Sequence, residues 1–256
     1  MRILTTGIMS GMGRFIHENL GGKGITRETS SEDIELLKKE GVDIIIHCAF
    51  NSEKDVNSKT LFHYFNDNVL LTNELVSIPH EKFIFFSTVD LYSKDGMMNM
   101  EDDIIYLDHV SGIYAETKLI SESIIKERCA NHLILRPTTM VGEYSRKNTL
   151  LRIIDGGGEK LFLSGDSQFN YVLYDDVLDF IKLAIDKDIS GVYNVASSEN
   201  IQLSEVAGLI GRKVSFGSHK YSVGNISNNK ISSICPVFSR TSKDFLNQFV
   251  GECASA

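Results

Sequence analysis

The stretch Arg2-Ile-Leu-Thr-Thr-Gly-Ile-Met-Ser-Gly-Met-Gly13 decides the fold that this sequence predicts. A short β-prone run comes first, a glycine-rich turn follows, and a helical pattern then continues as far as Leu20. Glycines in such a turn let the backbone approach a pyrophosphate closely, so that the phosphates lie at the N-terminus of the helix. Strand, glycine turn and helix in this order indicate a dinucleotide-binding loop.

Strand and helix patterns alternate along the chain that follows. Val42-Asp-Ile-Ile-Ile-His-Cys48 and Lys82-Phe-Ile-Phe-Phe86 are almost continuous apolar runs, as is typical of strands buried on both faces of a parallel sheet. A long helical pattern spans residues 54–78, and another follows Tyr114. This alternation predicts an α/β protein with right-handed βαβ units and a Rossmann-type, doubly wound parallel sheet.

The alternation becomes weaker after Gly142, and no linker separates two independent domains. We therefore expect a small C-terminal lobe that is interleaved with the last elements of the sheet. The predicted core covers residues 1–142 and about 170–198, and the predicted lobe covers about 143–169 and 199–256.

Composition excludes several classes of protein. The 256 residues have a formal net charge of −8 and no basic run, which argues against non-specific binding of nucleic acid. No apolar stretch approaches the roughly 18 residues that a membrane span requires. The four cysteines are scattered without metal-ligand spacing, so we expect no metal. The N-terminal residues do not resemble a secretory signal, and a cytoplasmic location is expected.

Tyr114 and Lys118 stand four residues apart at the start of a helical run. Residues at this spacing share a helix face, so the lysine ammonium can lie beside the phenol and favour the phenolate. An unperturbed phenol has a pKa of roughly 10, too high for efficient proton transfer at neutral pH. The pair predicts an acid/base tyrosine, and the alternative interpretation is a solvated helix face with a surface lysine.

Arg27 bears on the choice of cofactor. Lys23-Gly-Ile-Thr-Arg27 is the only candidate for a second strand, and an NAD site would have an acidic residue at its end to bind the ribose 2′-OH. Arg27 stands near that place and favours NADP over NAD, because a guanidinium pairs with the 2′-phosphate. The alternative is a surface arginine that pairs with a neighbouring carboxylate.

Four features occur in one order: the glycine turn at 7–13, Asn68, Thr88 after a strand, and Tyr114 with Lys118. With these features the sequence resembles the short-chain dehydrogenase/reductase superfamily. It is most similar to the extended branch that acts on nucleotide sugars, the NAD-dependent epimerase/dehydratase family. Later landmarks of that branch are Leu135-Arg-Pro137, Asn170-Tyr-Val-Leu-Tyr-Asp-Asp-Val177 and Gly191-Val-Tyr-Asn-Val195.

The resemblance implies catalytic roles for four residues. Tyr114 would be the general acid/base at the sugar oxygen, and Lys118 would lower its pKa and hold the nicotinamide ribose. Thr88 would bind the reacting oxygen, and Asn68 would support a proton-relay water near Lys118. In the family's 4,6-dehydratases an acid pair follows the threonine, whereas Val89 stands here, so dehydration is disfavoured.

The resemblance also implies contacts for the two ligands. The expected cofactor contacts are Gly7, Gly11, Met12, Gly13, Arg27, Ala49, Tyr114, Lys118 and Pro137. The expected substrate contacts are Thr88, Val89, Asp90, Asn170 and Tyr171. The spacing of the three glycines departs from the usual extended branch and is similar to the smaller, single-lobe branch.

By this resemblance the protein is an NAD(P)-dependent oxidoreductase that reduces a keto group of a nucleotide-activated sugar. The short C-terminal lobe is similar in size to that of compact keto-sugar reductases. An epimerase that keeps NAD bound is the alternative, and a non-catalytic dinucleotide-binding sensor or scaffold is an alternative of another class. The helices at 54–78 and 111–130 carry an excess of apolar residues, and the family often forms dimers through this pair, so we expect a homodimer.

Overall fold

A parallel β-sheet of six strands forms the centre of the molecule. The computed structural model describes residues 1–53, 55–110, 112–156 and 160–255, with side chains as far as residue 252. The strands of the sheet are β1 (Ile3–Thr6), β2 (Lys23–Ile25), β3 (Ile44–His47), β4 (Lys82–Phe86), β6 (His132–Pro137) and β10 (Gly191–Val195). They lie in the order β2–β1–β3–β4–β6–β10, and all neighbours are parallel.

Apolar side chains cover both faces of this sheet. Ile44 and Ile46 belong to one hydrophobic cluster, and Ile45 belongs to a second cluster on the opposite face. All four residues of β3 are buried, which explains why three of them are isoleucines and only His47 is polar. The sheet is therefore buried on both sides, as a doubly wound fold requires.

Helices cover the two faces. The first half of the chain contains α1 (Gly11–Leu20), α2 (Ser31–Glu40), α3 (Leu61–Phe65), α4 (Leu71–Leu75) and α5 (Gly112–Arg128), and the second half begins with α6 (Thr149–Ile154) and α7 (Tyr174–Asp186). Helices α1 and α7 contribute to one apolar cluster, whereas α2, α4 and α5 contribute to the other. None of the helices in the described residues is long and apolar enough to cross a bilayer.

The helix expected over residues 54–78 is shorter and is interrupted. It begins at Leu61, because Asn57 and Thr60 form a turn in which the Asn57 nitrogen donates to the Thr60 hydroxyl at 3.0 Å. A π-helical turn (Asn66–Leu70) separates α3 from α4. Lys54, at the start of the predicted helix, lies outside the described residues.

A second, smaller lobe is built from short strand pairs and four helices. Its strands are β5 (Met98–Asn99), β7 (Thr139–Val141), β8 (Gln168–Phe169), β9 (Tyr171–Leu173), β11 (Ile201–Gln202) and β12 (Asn225–Ile226). They pair as β5–β12, β7–β9 and β8–β11. Besides α6, its helices are α8 (Leu203–Ile210), α9 (Asn229–Ile234) and α10 (Ser242–Ser255). After β9 and α7 the chain returns to the central sheet at β10, so the sheet and the second lobe are interleaved in the sequence. The domain boundaries given above stay a prediction.

The sheet has a topological switch point at β1. Strand β2 lies on one side of β1, and β3 lies on the other. The chain therefore leaves the carboxyl ends of β1 and β3 in opposite directions, which opens a crevice between them. Open α/β sheets bind their ligands in such a crevice.

Candidate active site

A cavity of about 390 Å³ opens at the carboxyl ends of β1, β4 and β6, where the sheet meets the second lobe. Most of the predicted cofactor and catalytic residues line it: Gly7, Gly11, Met12, Gly13, Thr88, Val89, Asp90, Tyr114, Lys118 and Pro137. The structure thus brings together residues that lie up to 130 positions apart in the sequence (137 − 7 = 130).

The glycine turn forms one wall of this cavity. Gly7 has a φ of +76°, and a Cβ atom there would lie 2.9 Å from the Ala49 nitrogen. A Cβ atom on Gly13 would lie 2.5 Å from the Gly7 carbonyl oxygen. Only glycine fits at these two places, and the resulting backbone cradle suits a pyrophosphate.

Helix α1 presents an open N-terminus to the cradle. Ser10 occupies the N-cap position, but among the described residues its hydroxyl accepts a hydrogen bond from Arg146 Nε at 2.9 Å instead of capping the helix. The first turn of α1 contains no acidic residue. The Gly11 nitrogen donates to the Tyr144 carbonyl oxygen at 2.9 Å, so the attraction for an anion comes from the helix dipole and the glycine cradle. With these features the residues fit the pyrophosphate of NAD or NADP.

A groove of about 1080 Å³ continues from the glycine turn past β2 and β3. Ala49 and Arg27 line this groove, and their contacts with a dinucleotide stay a prediction. The side chain of Arg27 is 76% exposed and pairs with Asp67 at 2.8 Å. Arg27 therefore pairs with a neighbouring carboxylate, as the alternative interpretation of this residue predicted. A 2′-phosphate would compete with Asp67 for the Arg27 guanidinium.

Lys118 lies on α5 and is buried in the cavity wall, only 5% exposed. Its Nζ donates a hydrogen bond to the Phe86 carbonyl oxygen at 2.6 Å and lies 4.7 Å from the centroid of the Phe85 ring. Burial lowers the pKa of Lys118 to about 8, while the nearby Glu122 acts in the opposite direction. This ammonium can therefore release or take up a proton near the physiological range.

Tyr114, one helical turn before Lys118, has a raised pKa. Burial raises the pKa of its phenol most, the Asp90 carboxylate raises it further, and a hydrogen bond with the Thr88 hydroxyl opposes both effects. We expected Lys118 to lower this pKa, but its ammonium is directed to the Phe86 carbonyl instead. Tyr114 is consequently a protonated phenol at neutral pH.

Thr88 and Asp90 lie in a 3₁₀ turn (Val89–Leu91) that directly follows β4. The Thr88 hydroxyl accepts a hydrogen bond from the Asp90 nitrogen at 3.1 Å and thereby caps this turn. Asp90 pairs with Lys94 at 3.0 Å, and Val89 is buried. The turn therefore holds a hydroxyl and a carboxylate beside the Tyr114 phenol.

A buried ion pair between Glu122 and Arg136 supports α5, the helix that carries Tyr114 and Lys118. The sequence interpretation did not identify this ion pair. Arg136 Nε and Nη2 donate to the two carboxylate oxygens of Glu122 at 2.9 and 2.7 Å. The side chains are 2% and 0% exposed. The pair ties α5 to the end of β6, next to Pro137, and so fixes the orientation of Lys118, one turn away. The available signal was an acidic residue four positions after Lys118.

Asn68 lies in the π-helical turn and is buried, without lining the cavity. Its Oδ1 accepts a hydrogen bond from the Asn51 nitrogen at 2.7 Å. Its carbonyl oxygen accepts bonds from the hydroxyls of Ser121 at 2.9 Å and Thr72 at 3.2 Å. These bonds stabilise the irregular turn beside α5, a kind of turn that is frequent at functional sites. A relay water at Asn68 stays a prediction.

His47 continues this chain of hydrogen bonds towards the glycine turn. Its Nε2 lies 3.0 Å from the Thr72 hydroxyl, and its Nδ1 lies 2.8 Å from the Thr6 hydroxyl. Thr6 also accepts bonds from the backbone nitrogens of Cys48 and Ala49 at 3.2 and 3.0 Å. The residue before Gly7 is thus connected with the π-helical turn through buried side chains.

Asn170 and Tyr171, which we expected near the substrate, do not line the cavity. Asn170 is buried and accepts hydrogen bonds from the Thr138 hydroxyl at 2.9 Å and the Ser197 nitrogen at 2.8 Å. Tyr171 is 1% exposed, and its ring stacks on Phe169 in the apolar core. In this geometry both residues stabilise the second lobe, and their contact with a substrate stays a prediction.

Several residues line the cavity that the sequence interpretation did not assign to it: Phe50, Arg146, Lys147, Asn148, Tyr221 and Val223. Arg146-Lys-Asn148 follows nine residues after the Leu135-Arg-Pro137 landmark, and this closeness was the available signal. Tyr221 and Val223 come from a segment without helical or strand periodicity, and only the folding of the second lobe over the sheet brings them to the cavity.

Solved structures support the fold. A dTDP-4-dehydrorhamnose reductase from Clostridium acetobutylicum matches with a TM-score of 0.79 and 17% identity over 99% of this chain and 100% of that one. A dTDP-4-dehydrorhamnose reductase from Bacillus anthracis, in complex with NADP, has a TM-score of 0.79 and 18% identity, covering 98% and 99% of the two chains. A Bacillus cereus UDP-glucuronic acid 4-epimerase, in complex with NAD, has a TM-score of 0.77 and 19% identity, covering 98% and 99%.

Sequence comparison gives the family. Comparison with functionally curated proteins gives no significant match. The sequence model of the NAD dependent epimerase/dehydratase family, however, matches residues 18–196, which is more than half of the chain. The Tyr114–Lys118 pair lies within the matched residues, the glycine cradle lies just before them, and the six-stranded parallel sheet agrees with the fold of the solved structures. The chain therefore belongs to the NAD dependent epimerase/dehydratase family, as its motifs predicted, and is an NAD(P)-dependent enzyme.

Proposed function

We propose that this protein reduces a keto group of a nucleotide-activated sugar, with Tyr114 as the acid that protonates the sugar oxygen. The observation that carries the proposal is geometric: Tyr114 and Thr88 line the same cavity as the glycine cradle. A protonated phenol suits a reduction, because the alkoxide that forms needs a proton. An epimerase would need the deprotonated phenol for its first, oxidative step.

The chemistry assigned to this chain is binding and proton transfer. A nicotinamide dinucleotide, when bound, supplies the hydride. The Thr88 hydroxyl and the Tyr114 phenol hold the carbonyl oxygen of the substrate, and Tyr114 gives its proton to that oxygen as the alcohol forms. Lys118, with a pKa of about 8, then returns a proton towards the phenolate.

The residues that would hold the cofactor lie in two adjoining places. Gly7, Gly11, Met12 and Gly13 frame the pyrophosphate cradle, and Arg27 and Ala49 line the groove beyond it. The guanidinium of Arg27 at the end of β2 supports NADP, because it can pair with the 2′-phosphate. Pro137 lines the same cavity as Tyr114.

An epimerase is the second candidate, and Asp67 is the observation that favours it. Its carboxylate pairs with Arg27 and would repel a 2′-phosphate, which supports NAD. The Bacillus cereus UDP-glucuronic acid 4-epimerase, a neighbour in fold, binds NAD. A non-catalytic sensor or scaffold would not need Tyr114 and Lys118 side by side, so their pairing argues against that alternative.

A homodimer and a cytoplasmic location stay predictions. Exposed apolar side chains support the dimer: Phe62 on α3, Leu70 in the π-helical turn and Ile120 on α5 are 69%, 48% and 39% exposed. These are the two helical segments that were expected to pair between subunits. Light scattering at micromolar concentration would test this, and a monomer would contradict it.

Mass spectrometry of the dinucleotide released from freshly purified, denatured protein is the decisive first experiment. Protein that is purified empty and then binds NADPH more tightly than NADH supports the reductase. A panel of keto sugar nucleotides, with oxidation of NADPH followed at 340 nm, would then identify the substrate. Near-stoichiometric bound NAD(H) would instead support the epimerase and contradict the role of Arg27.

A further inference from the structure

Arg146 occupies the junction between the cavity and the groove. Its Nε donates to the Ser10 hydroxyl at 2.9 Å, and its Nη1 donates to the Ser52 hydroxyl at 3.2 Å. Ser10 belongs to the glycine turn, whereas Ser52 follows β3 on the opposite side. Of the cationic side chains that the described part of the chain places around the two spaces, Arg146 alone lines both.

The charge of Arg146 has no carboxylate partner among the described residues, since both of its side-chain contacts are neutral hydroxyls. The arginines nearest to it in the same region differ in this respect. Arg27 pairs with Asp67 at 2.8 Å, and Arg14 pairs with Glu18 at 2.8 Å. The charge of Arg146 is therefore not neutralised by a carboxylate, and a guanidinium can bind phosphate oxygens through two parallel hydrogen bonds.

The loop that carries Arg146 is fastened to α1 independently of Arg146 itself. Tyr144 has a φ of +64°, a left-handed conformation that is unfavourable for a residue with a side chain. Its carbonyl oxygen accepts a hydrogen bond from the Gly11 nitrogen at 2.9 Å, and its ring lies 3.9 Å from the Arg14 guanidinium. These contacts hold the loop against the glycine turn, so the position of Arg146 does not depend on a ligand.

A dinucleotide that reaches from the groove to Tyr114 must pass between Ser10 and Ser52. We propose that Arg146 binds the pyrophosphate of the cofactor from the side of the second lobe, opposite the N-terminus of α1. The guanidinium exchanges its two serine hydroxyls for phosphate oxygens. This inference rests on the proposed function only as far as the binding of a nicotinamide dinucleotide.

A diphosphate could also come from the nucleotide sugar. The geometry assigns Arg146 to the cofactor, because Ser10 is part of the glycine turn and because Arg146 also lines the groove beyond it. The two sources can be separated with probes. ADP-ribose carries the cofactor's pyrophosphate without nicotinamide, whereas UDP and dTDP carry the diphosphate of a nucleotide sugar.

Calorimetry tests this assignment on the wild type, on Arg146→Met and on a control variant, Arg152→Met. It gives the dissociation constants of five ligands: NADPH, NADH, ADP-ribose, UDP and dTDP. Arg152 is an exposed arginine on α6 that lines neither space, so its substitution removes the same charge elsewhere. We expect Arg146→Met to raise the dissociation constants of NADPH, NADH and ADP-ribose about tenfold to a hundredfold. Arg152→Met should stay within about twofold of the wild type.

Each other outcome has a distinct meaning. If the wild type binds neither dinucleotide, the proposed function fails before Arg146 is tested. If the wild type binds and both variants bind equally well, the function stands and the assignment of Arg146 is wrong. If Arg146→Met weakens the binding of UDP or dTDP but leaves the binding of ADP-ribose unchanged, Arg146 contacts the substrate instead, and the assignment is wrong. Unchanged thermal unfolding of ligand-free Arg146→Met shows that the variant is folded.

Discussion

The cavity around Lys118 and the groove around Arg27 adjoin each other, and they differ in how far a charged side chain is exposed to water. Lys118 is 5% exposed, and it contacts aromatic rings and a backbone carbonyl. The Arg27 side chain is 76% exposed and pairs with a carboxylate in water. A charge in a poorly polarisable interior changes protonation equilibria strongly, whereas an exposed charge acts mainly on affinity and is screened by salt.

This difference separates the effects that substitutions should have. Changes in the cavity should alter rates, pH dependence and stability, because buried groups depend on one another there. Changes in the groove should alter the binding of the cofactor and little else. The following predictions test that separation, beginning with the largest expected effect.

Tyr114→Phe should lower kcat about a thousandfold, because general acid catalysis contributes roughly 10²–10⁴ to a rate. The dissociation constant of NADPH should change little, since the glycine cradle and the groove are untouched. Steady-state kinetics and calorimetry measure the two quantities. Tyr106→Phe, at a tyrosine that is 57% exposed, is the control and should behave like the wild type. Unchanged turnover of Tyr114→Phe would remove the proposed acid.

Glu122→Gln should lower the free energy of unfolding by about 3 kcal/mol, because it leaves the buried Arg136 charge without its partner. Urea denaturation measures this change. Lys126→Met is a matched control: Lys126 pairs with the same carboxylate at 3.0 Å but is 41% exposed. Its substitution should lower the free energy by less than about 1 kcal/mol. Equal effects of the two substitutions would contradict the contrast between buried and exposed charge.

Lys118 should make stability depend on pH in the alkaline range. Its pKa is lowered to about 8 by burial, whereas a lysine in an unfolded chain titrates near roughly 10.4. Between these values the unfolded chain binds more protons than the folded one, so the contribution of Lys118 to stability rises with pH. Relative to Lys118→Met, the wild type should gain about 2 kcal/mol from pH 7.5 to pH 10. A difference that stays constant over this range would contradict the lowered pKa.

Arg27→Met should weaken NADPH about tenfold and leave NADH within about twofold, because only the 2′-phosphate contacts this guanidinium. Asp67→Asn should have the opposite effect on NADPH, since it frees Arg27 from its carboxylate. Calorimetry at low and at moderate salt measures both. The effect of Arg27→Met should shrink as salt rises, and an equal loss for both cofactors would show that Arg27 does not read the 2′-phosphate.

Much of the fold was predictable because its strands are buried on both faces. The runs that became β3 and β4 are almost continuously apolar, and their alternation with the helical patterns already indicates a parallel sheet. The π-helical turn at Asn68 was not predictable in this way. It depends on hydroxyls from Thr72 and from Ser121, and Ser121 lies 53 positions further along the chain. A contact over such a distance in the sequence cannot be predicted from local periodicity.

The same division applies to the site. Residues in local motifs, such as Gly7 and Tyr114, line the cavity because strand ends and helix faces place them there, while their roles stay predictions. Arg146 and Tyr221 were missed, because their positions follow from the way the second lobe folds over the sheet. Tyr171 was placed near the substrate, but it lies in a strand with all residues buried, and its ring packs into the core.

The buried hydrogen bonds around His47 have a defined direction. The Thr6 hydroxyl already accepts two backbone N–H groups, so its own proton must point to His47 Nδ1. His47 is therefore the Nε2–H tautomer and donates to Thr72. Burial lowers the pKa of this imidazole to about 3, so it stays uncharged across the physiological range. The glycine turn and the π-helical turn are thus joined by a chain of neutral hydrogen bonds whose donors all point the same way, and a change of pH within the physiological range leaves this chain unchanged.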